Sequence, residues 1–114
     1  MDNNTKSGLI ITVIMAVLLS GCLASAEFVV TDSSGEASFD LSKGVVYDID
    51  VIVQNVGDAE GVADVTVNLI SESSGAIRDT QTQTISLKSG QSRELKYTLD
   101  GESGEEYRYE VEIN

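Results

Sequence analysis

The sequence predicts an all-β chain: a small antiparallel immunoglobulin-like β-sandwich of six to seven strands, behind an N-terminal signal or anchor segment. Three observations predict it. After Cys22, apolar and polar residues alternate with period two in run after run, and no stretch has the spacing of an amphipathic helix. The runs recur at spacings of roughly 8–15 residues, separated by clusters of Gly, Ser, Asn and Asp. Val, Ile, Thr, Ser and Gly are abundant, a composition that suits strands and turns. The chain has 114 residues, enough for one domain, and the folded part is expected over Glu27–Asn114.

The N-terminal segment does not belong to that pattern. Met1 to Ser7 is polar and carries Lys6. Leu9 to Leu19 is apolar except for Thr12, and Ser20, Gly21 and Cys22 follow. This is the charged, apolar, small-residue order of an export signal, and the run is short for a membrane span, which needs about 20 apolar residues. Leu19-Ser20-Gly21-Cys22 resembles the lipobox of prolipoproteins. The resemblance implies that the Cys22 thiol receives diacylglycerol, that residues 1–21 are then removed, and that residues 22–26 form a lipidated cysteine and short tether ahead of a domain at 27–114. Two acyl chains give stable anchoring where one is marginal. Two alternatives stand beside this one. Ala24-Ser25-Ala26 is a small-x-small site at which ordinary cleavage after Ala26 would release a secreted protein. Alternatively, a segment from Gly8 to Ala26 stays uncut as a transmembrane anchor. Cys22 is the only cysteine, so the domain has no internal disulfide and the thiol needs its own explanation.

Along the exported part, Phe28–Thr31 and Ala37–Leu41 read as two short strands, with Asp32-Ser33-Ser34-Gly35 as a turn between them and Ser42-Lys43-Gly44 as the next turn. Tyr47, Ile49, Val51 and Val53 then form an apolar face opposite Asp48, Asp50 and Gln54, broken only by Ile52. Asn55 to Gly61 is a Gly-rich connection. Val65, Val67 and Leu69 continue the odd-numbered face. Ile77–Leu87 is more polar, and Thr80-Gln81-Thr82-Gln83-Thr84 suits an edge strand open to a partner strand. Leu95, Tyr97 and Leu99 alternate with Glu94, Lys96 and Thr98. Tyr107, Tyr109, Val111 and Ile113 alternate with Arg108, Glu110 and Glu112.

Residues 47–113 also resemble the adhesion-type immunoglobulin-like modules called CARDB and the related FxLYD-type domains. The residues that carry the likeness are Asp50–Ala59, with its Asn55-Val56-Gly57, then Val65–Leu69, the turn Leu87-Lys88-Ser89-Gly90-Gln91, and the closing Tyr107–Ile113 strand. In those families the Asn-x-Gly piece is a strand-to-loop turn in which Gly takes backbone angles closed to other residues. The resemblance implies an extracellular accessory, adhesion or scaffold module without enzyme activity.

The chemistry-bearing residues are few. There is no histidine, the commonest general base and metal ligand. There is no P-loop, no GxGxxG and no nucleophile–base relay, and no catalytic residue is assigned. Asp48/Asp50 and Glu110/Glu112 are paired carboxylates on strand faces, expected to be solvated. Asp58, Glu60 and Asp64 cluster around a Gly-rich connection, the best candidates for a Ca2+ site, because loop oxygens suit that ion. The four tyrosines fall on apolar faces and are expected in the core. The formal net charge is −12, and all of it lies beyond Cys22, since Lys6 and Asp2 cancel. Such a surface repels nucleic acid. The expected function is that of a non-catalytic, membrane-anchored extracytoplasmic lipoprotein with an adhesion or protein-binding domain, its partners the membrane and another envelope protein. A solute- or calcium-binding accessory lipoprotein is the alternative.

Overall fold

A computed structural model of the chain describes residues 11–14 and 24–114. The segment read as an export signal apart from 11–14, and Cys22 with the residues that resemble a lipobox, lie outside the described residues. Seven strands are present: β1 (Ile11–Ile14), β2 (Phe28–Asp40), β3 (Gly44–Asn55), β4 (Gly61–Ser71), β5 (Ile77–Leu87), β6 (Ser92–Asp100) and β7 (Tyr107–Ile113). Six of them form the two antiparallel sheets of a small β-sandwich. One sheet has the order β2-β3-β6. The other has the order β7-β4-β5, and β1 adds to the outside of β7 as a parallel strand. Among the described residues there is no helix long and apolar enough to cross a membrane.

Period-two alternation fixes which side of each strand faces the other sheet. Ile49, Val51 and Val53 of β3, Val65, Val67 and Leu69 of β4, Leu87 of β5, Leu95, Tyr97 and Leu99 of β6, and Tyr109 and Val111 of β7 are buried in one core. All four tyrosines are in it, as their alternation predicts. Tyr97 spans the sandwich: its hydroxyl donates to the Val65 carbonyl at 2.7 Å. Tyr109 reaches across from β7 and donates to, or accepts from, the Ser33 hydroxyl of β2 at 3.2 Å. Tyr47 and Tyr107 meet edge to face, centroids 5.4 Å apart. A buried aromatic ring with a satisfied hydroxyl crosslinks two sheets without leaving a polar atom bare.

One expectation fails. Residues 28–40 form a single strand and not two, and Asp32-Ser33-Ser34-Gly35 is not a turn. The whole of β2 follows β3 from Phe28↔Asn55 to Asp40↔Gly44, with a bulge between Val30 and Asp32. The long partner overrides the local turn signal. β2 is an outer strand with most residues past Val30 solvent-facing, so Ser, Asp and Gly there bury no polar group. The chain reverses at residues 41–43, at the turn the sequence places at Ser42-Lys43-Gly44, where Asp40 Oδ1 accepts from the Ser42 and Lys43 amides and from the Ser42 hydroxyl. That hydroxyl holds the Asp40 carboxyl below its ordinary range.

The strand directions give the sandwich two distinct ends. The 56–60 and 88–91 loops, the start of β2 and the end of β7 share one end. The 41–43, 72–76 and 101–106 turns share the other.

Candidate interaction surfaces

The end at which the chain enters the domain is built around Asn55. Its side chain is fully buried. The amide nitrogen donates to Ala59 O at 2.8 Å and to Leu87 O at 3.1 Å. The amide oxygen accepts from the Gly57 and Glu27 backbone N–H groups at 3.0 and 3.1 Å. The Asn55 backbone is used as well, accepting from Gly90 N and donating to Gln91 O. One residue thus joins the β3–β4 loop, the β5–β6 loop and the segment ahead of β2. The sequence reads Asn55 as a turn residue. Its wider role depends on partners far along the chain, which no local pattern contains.

The segment Ser25–Glu27 is pinned against the 55–58 loop. Val56 N donates to Glu27 O at 2.7 Å, Asp58 N to Ser25 O at 3.0 Å, and Ser25 N to Asp58 Oδ1 at 2.9 Å. Gly57 makes this possible by lacking a side chain: a Cβ there would collide with Ser25 O and lie 2.6 Å from Glu27 N. This corrects the expected reason for the glycine. Among the described residues the positive-φ glycines are Gly44, Gly75, Gly90 and Gly104, so in this region the left-handed backbone falls at Gly90, in the 88–91 turn. Gly57→Ala is expected to cost about 1–3 kcal/mol, the usual range for overpacking. A lowered urea midpoint, with faster proteolysis ahead of Phe28, is the result that checks it.

The three residues read as a calcium site take separate roles. Asp58 holds Ser25 as described. Asp64 lies on the outward face of β4 and accepts from the Thr84 hydroxyl at 2.6 Å. Glu60 is exposed in the loop between them. Among the described residues, no three His, Cys, Asp or Glu side chains gather closely enough to hold a metal ion. The paired carboxylates sit on outward faces. Asp48 and Asp50 accept from Thr98 and Lys96. Glu112 accepts from Asn68 at 2.6 Å, and Glu110 lies 3.9 Å from Arg108.

The outward face of β4, β5 and β7 is a polar net. Thr66 and Thr82 share a hydrogen bond at 2.7 Å, and the Thr80 hydroxyl donates to Asn68 Oδ1 at 2.6 Å. β5 is an edge strand, as its Thr/Gln pattern predicts. Its inward-turning polar residues reach the neighbouring edge, β6. Gln83 Nε2 donates to Lys96 O at 2.8 Å, Thr98 N to Gln81 Oε1 at 3.3 Å, and Asp100 N to Asp79 Oδ2 at 2.8 Å. Side chains at 79, 81 and 83 therefore close this flank of the sandwich.

At the far end, apolar side chains stand in solvent. Phe39 is 66% and Leu41 95% exposed at the tip of the β2–β3 hairpin, and Ile77 is 58% exposed at the start of β5. Single exposed apolar residues are ordinary, but here the hairpin tip carries two of them in three residues. No protein family, curated protein or solved structure matches the chain.

Proposed function

We propose that the chain is an exported lipoprotein, anchored through Cys22, whose β-sandwich is a non-catalytic binding or scaffold module outside the cell. The observation that carries this reading is the pinned entry of the chain. Ser25 and Glu27 are hydrogen-bonded to the 55–58 loop, so the folded body begins three residues after Cys22. A lipid on Cys22 then leaves almost no slack. The end containing Asn55 faces the membrane, and the β2–β3 hairpin points away from it. Thirteen residues of β2 at about 3.3 Å each put Phe39 and Leu41 roughly 40 Å from that end. The hairpin tip is then the natural place for an envelope partner to be met.

The intact mass of the membrane-extracted protein tests the anchor. The expected result is a chain lacking residues 1–21 with added acyl mass on Cys22. A mature chain starting at Glu27, or one retaining Met1, overturns the lipoprotein reading.

A further inference from the structure

The four flanks of the two sheets are not treated alike. A strand edge is a row of unpaired N–H and C=O groups, and stable proteins blunt it. β2 is bent by its bulge, and the Thr31 hydroxyl inside the bulge donates to Ile52 O. β5 is lined by Thr, Gln and Asp, and β6 has its carbonyl at Lys96 and its amides at Thr98 and Asp100 bonded by β5 side chains. Along the free side of β7 no capping side chain is found among the described residues, and its charges, Arg108, Glu110 and Glu112, stand on the outward face of the sheet. β7 contains no bulge, and its register with β4 runs without a slip from Tyr107↔Ser71 to Ile113↔Val65.

The phase of that ladder is fixed by Asp64 and Asn114, which exchange both backbone hydrogen bonds at 2.9 and 3.0 Å. In an antiparallel ladder, residues alternate between bonding the partner and facing away from it. Residues 108, 110 and 112 therefore bond β4, and the N–H and C=O groups of Tyr109, Val111 and Ile113 turn outward. What meets them is β1. Ile11–Ile14 runs parallel to β7 in the register Ile11↔Tyr109, Thr12↔Glu110, Val13↔Val111 and Ile14↔Glu112. These four residues belong to the apolar run that reads as an export signal. The segment is uncharged and β-branched throughout, the composition that fits a pleated surface.

We infer that the free side of β7 is a strand-acceptor site for an extended, uncharged, β-branched segment running parallel to it. Residues 11–14 hold it in the uncut chain. Removal of residues 1–21 opens it to a segment of the same chemistry on an envelope partner, a step that rests on the lipoprotein reading above. Main-chain bonds to Tyr109, Val111 and Ile113 supply the affinity. The leader then has a second role: it covers a sticky edge until the domain reaches its destination.

Engineered cysteine pairs decide both parts. In the full chain, Cys22→Ser removes the thiol whose modification precedes cleavage, and so keeps the chain uncut. On that background, Thr12→Cys with Glu110→Cys is expected to form an intramolecular disulfide at least tenfold faster than Thr12→Cys with Glu94→Cys, whose second site lies on β6. Equal rates, or no disulfide at 110, overturn the pairing. The second arm uses membrane-extracted protein carrying Glu110→Cys. Its probe is a synthetic Lys-Lys-Ile-Ile-Cys-Val-Ile-Lys-Lys peptide, whose cysteine stands at the position of Thr12. Capture is expected at 110, with at least tenfold less at a Glu94→Cys control and in the uncut chain. Capture that does not distinguish 110 from 94 overturns the acceptor site. The intact mass of the same preparation reports separately on cleavage. A chain retaining Met1 sinks the lipoprotein reading and the opening step, and the first arm still decides whether β7 accepts a strand.

Discussion

Asn55→Ala is expected to destabilise the domain by about 3–5 kcal/mol, among the largest effects of any single polar substitution in this chain. The loss comes from what remains. Without the amide, Ala59 O and Leu87 O lose donors, and the Glu27 and Gly57 N–H groups lose an acceptor, all at a fully buried position. Each buried polar group left without a partner costs about 1–3 kcal/mol, moderated where water reaches the loops. For a domain of this size that corresponds to a fall in Tm of roughly 15 °C or more. Asn55→Asp separates hydrogen bonding from packing. It keeps the shape and the acceptor for Gly57 and Glu27, but turns a charged oxygen toward two carbonyls. Its destabilisation at neutral pH is expected to match that of Asn55→Ala and to shrink in acid, where the carboxyl is protonated and can donate again. Urea denaturation of both variants at neutral and acidic pH checks this. A loss below about 1 kcal/mol for Asn55→Ala would show that the loops rearrange around water and that Asn55 is not the hub of this end.

How much of this was legible beforehand follows from the kind of information each feature needs. β3, β4, β6 and β7 are half-buried strands, so their apolar faces appear directly as alternation, and Tyr47, Tyr97, Tyr107 and Tyr109 fall inside as that pattern requires. β5 shows its edge position through Thr and Gln. β2 is legible only in part, because its middle carries the turn residues Asp32-Ser33-Ser34-Gly35 and mostly faces solvent, and only pairing with the whole length of β3 makes one strand of it. The carboxylates at 58, 60 and 64 are close in sequence, but Asp58 stands in a loop against Ser25 and Asp64 on a strand against Thr84, so spacing alone grouped residues that the fold separates. Asn55 and Gly57 owe their places to contacts that local pattern does not carry. Both look like turn chemistry locally, and both are explained by a segment nearly 30 residues earlier packing onto them. The closure of β6 by residues 79, 81 and 83 has the same origin: it is a property of two sheets meeting, which a pattern within one strand does not encode.

Alkali is expected to unfold the domain well before its backbone is threatened, through Tyr97. Burial pushes the Tyr97 phenol up to about 12 from an ordinary value near 10, and burial also raises Tyr47 and Tyr109. In the unfolded chain these phenols ionise near pH 10. Below that pH both states hold their protons, and the stabilisation is fully present. As pH rises from 10 toward 12 the unfolded state releases protons that the folded state retains, so stability falls by up to about 1.4 kcal/mol per pH unit for each such group. Tyr97→Phe makes the cause visible. At neutral pH it loses the bond from the hydroxyl to Val65 O and costs about 1 kcal/mol. It also removes one of the titrating groups, so its alkaline limb is flatter. The two stability curves are therefore expected to cross at about pH 11, above which the phenylalanine variant is the more stable. Urea midpoints at intervals from pH 7 to pH 11.5, with tyrosinate absorbance recorded on the same samples, measure the crossing. Parallel curves across the whole range would assign the alkaline loss to groups other than Tyr97, whose hydroxyl would then be a packing contact between β6 and β4 and not a linked proton site.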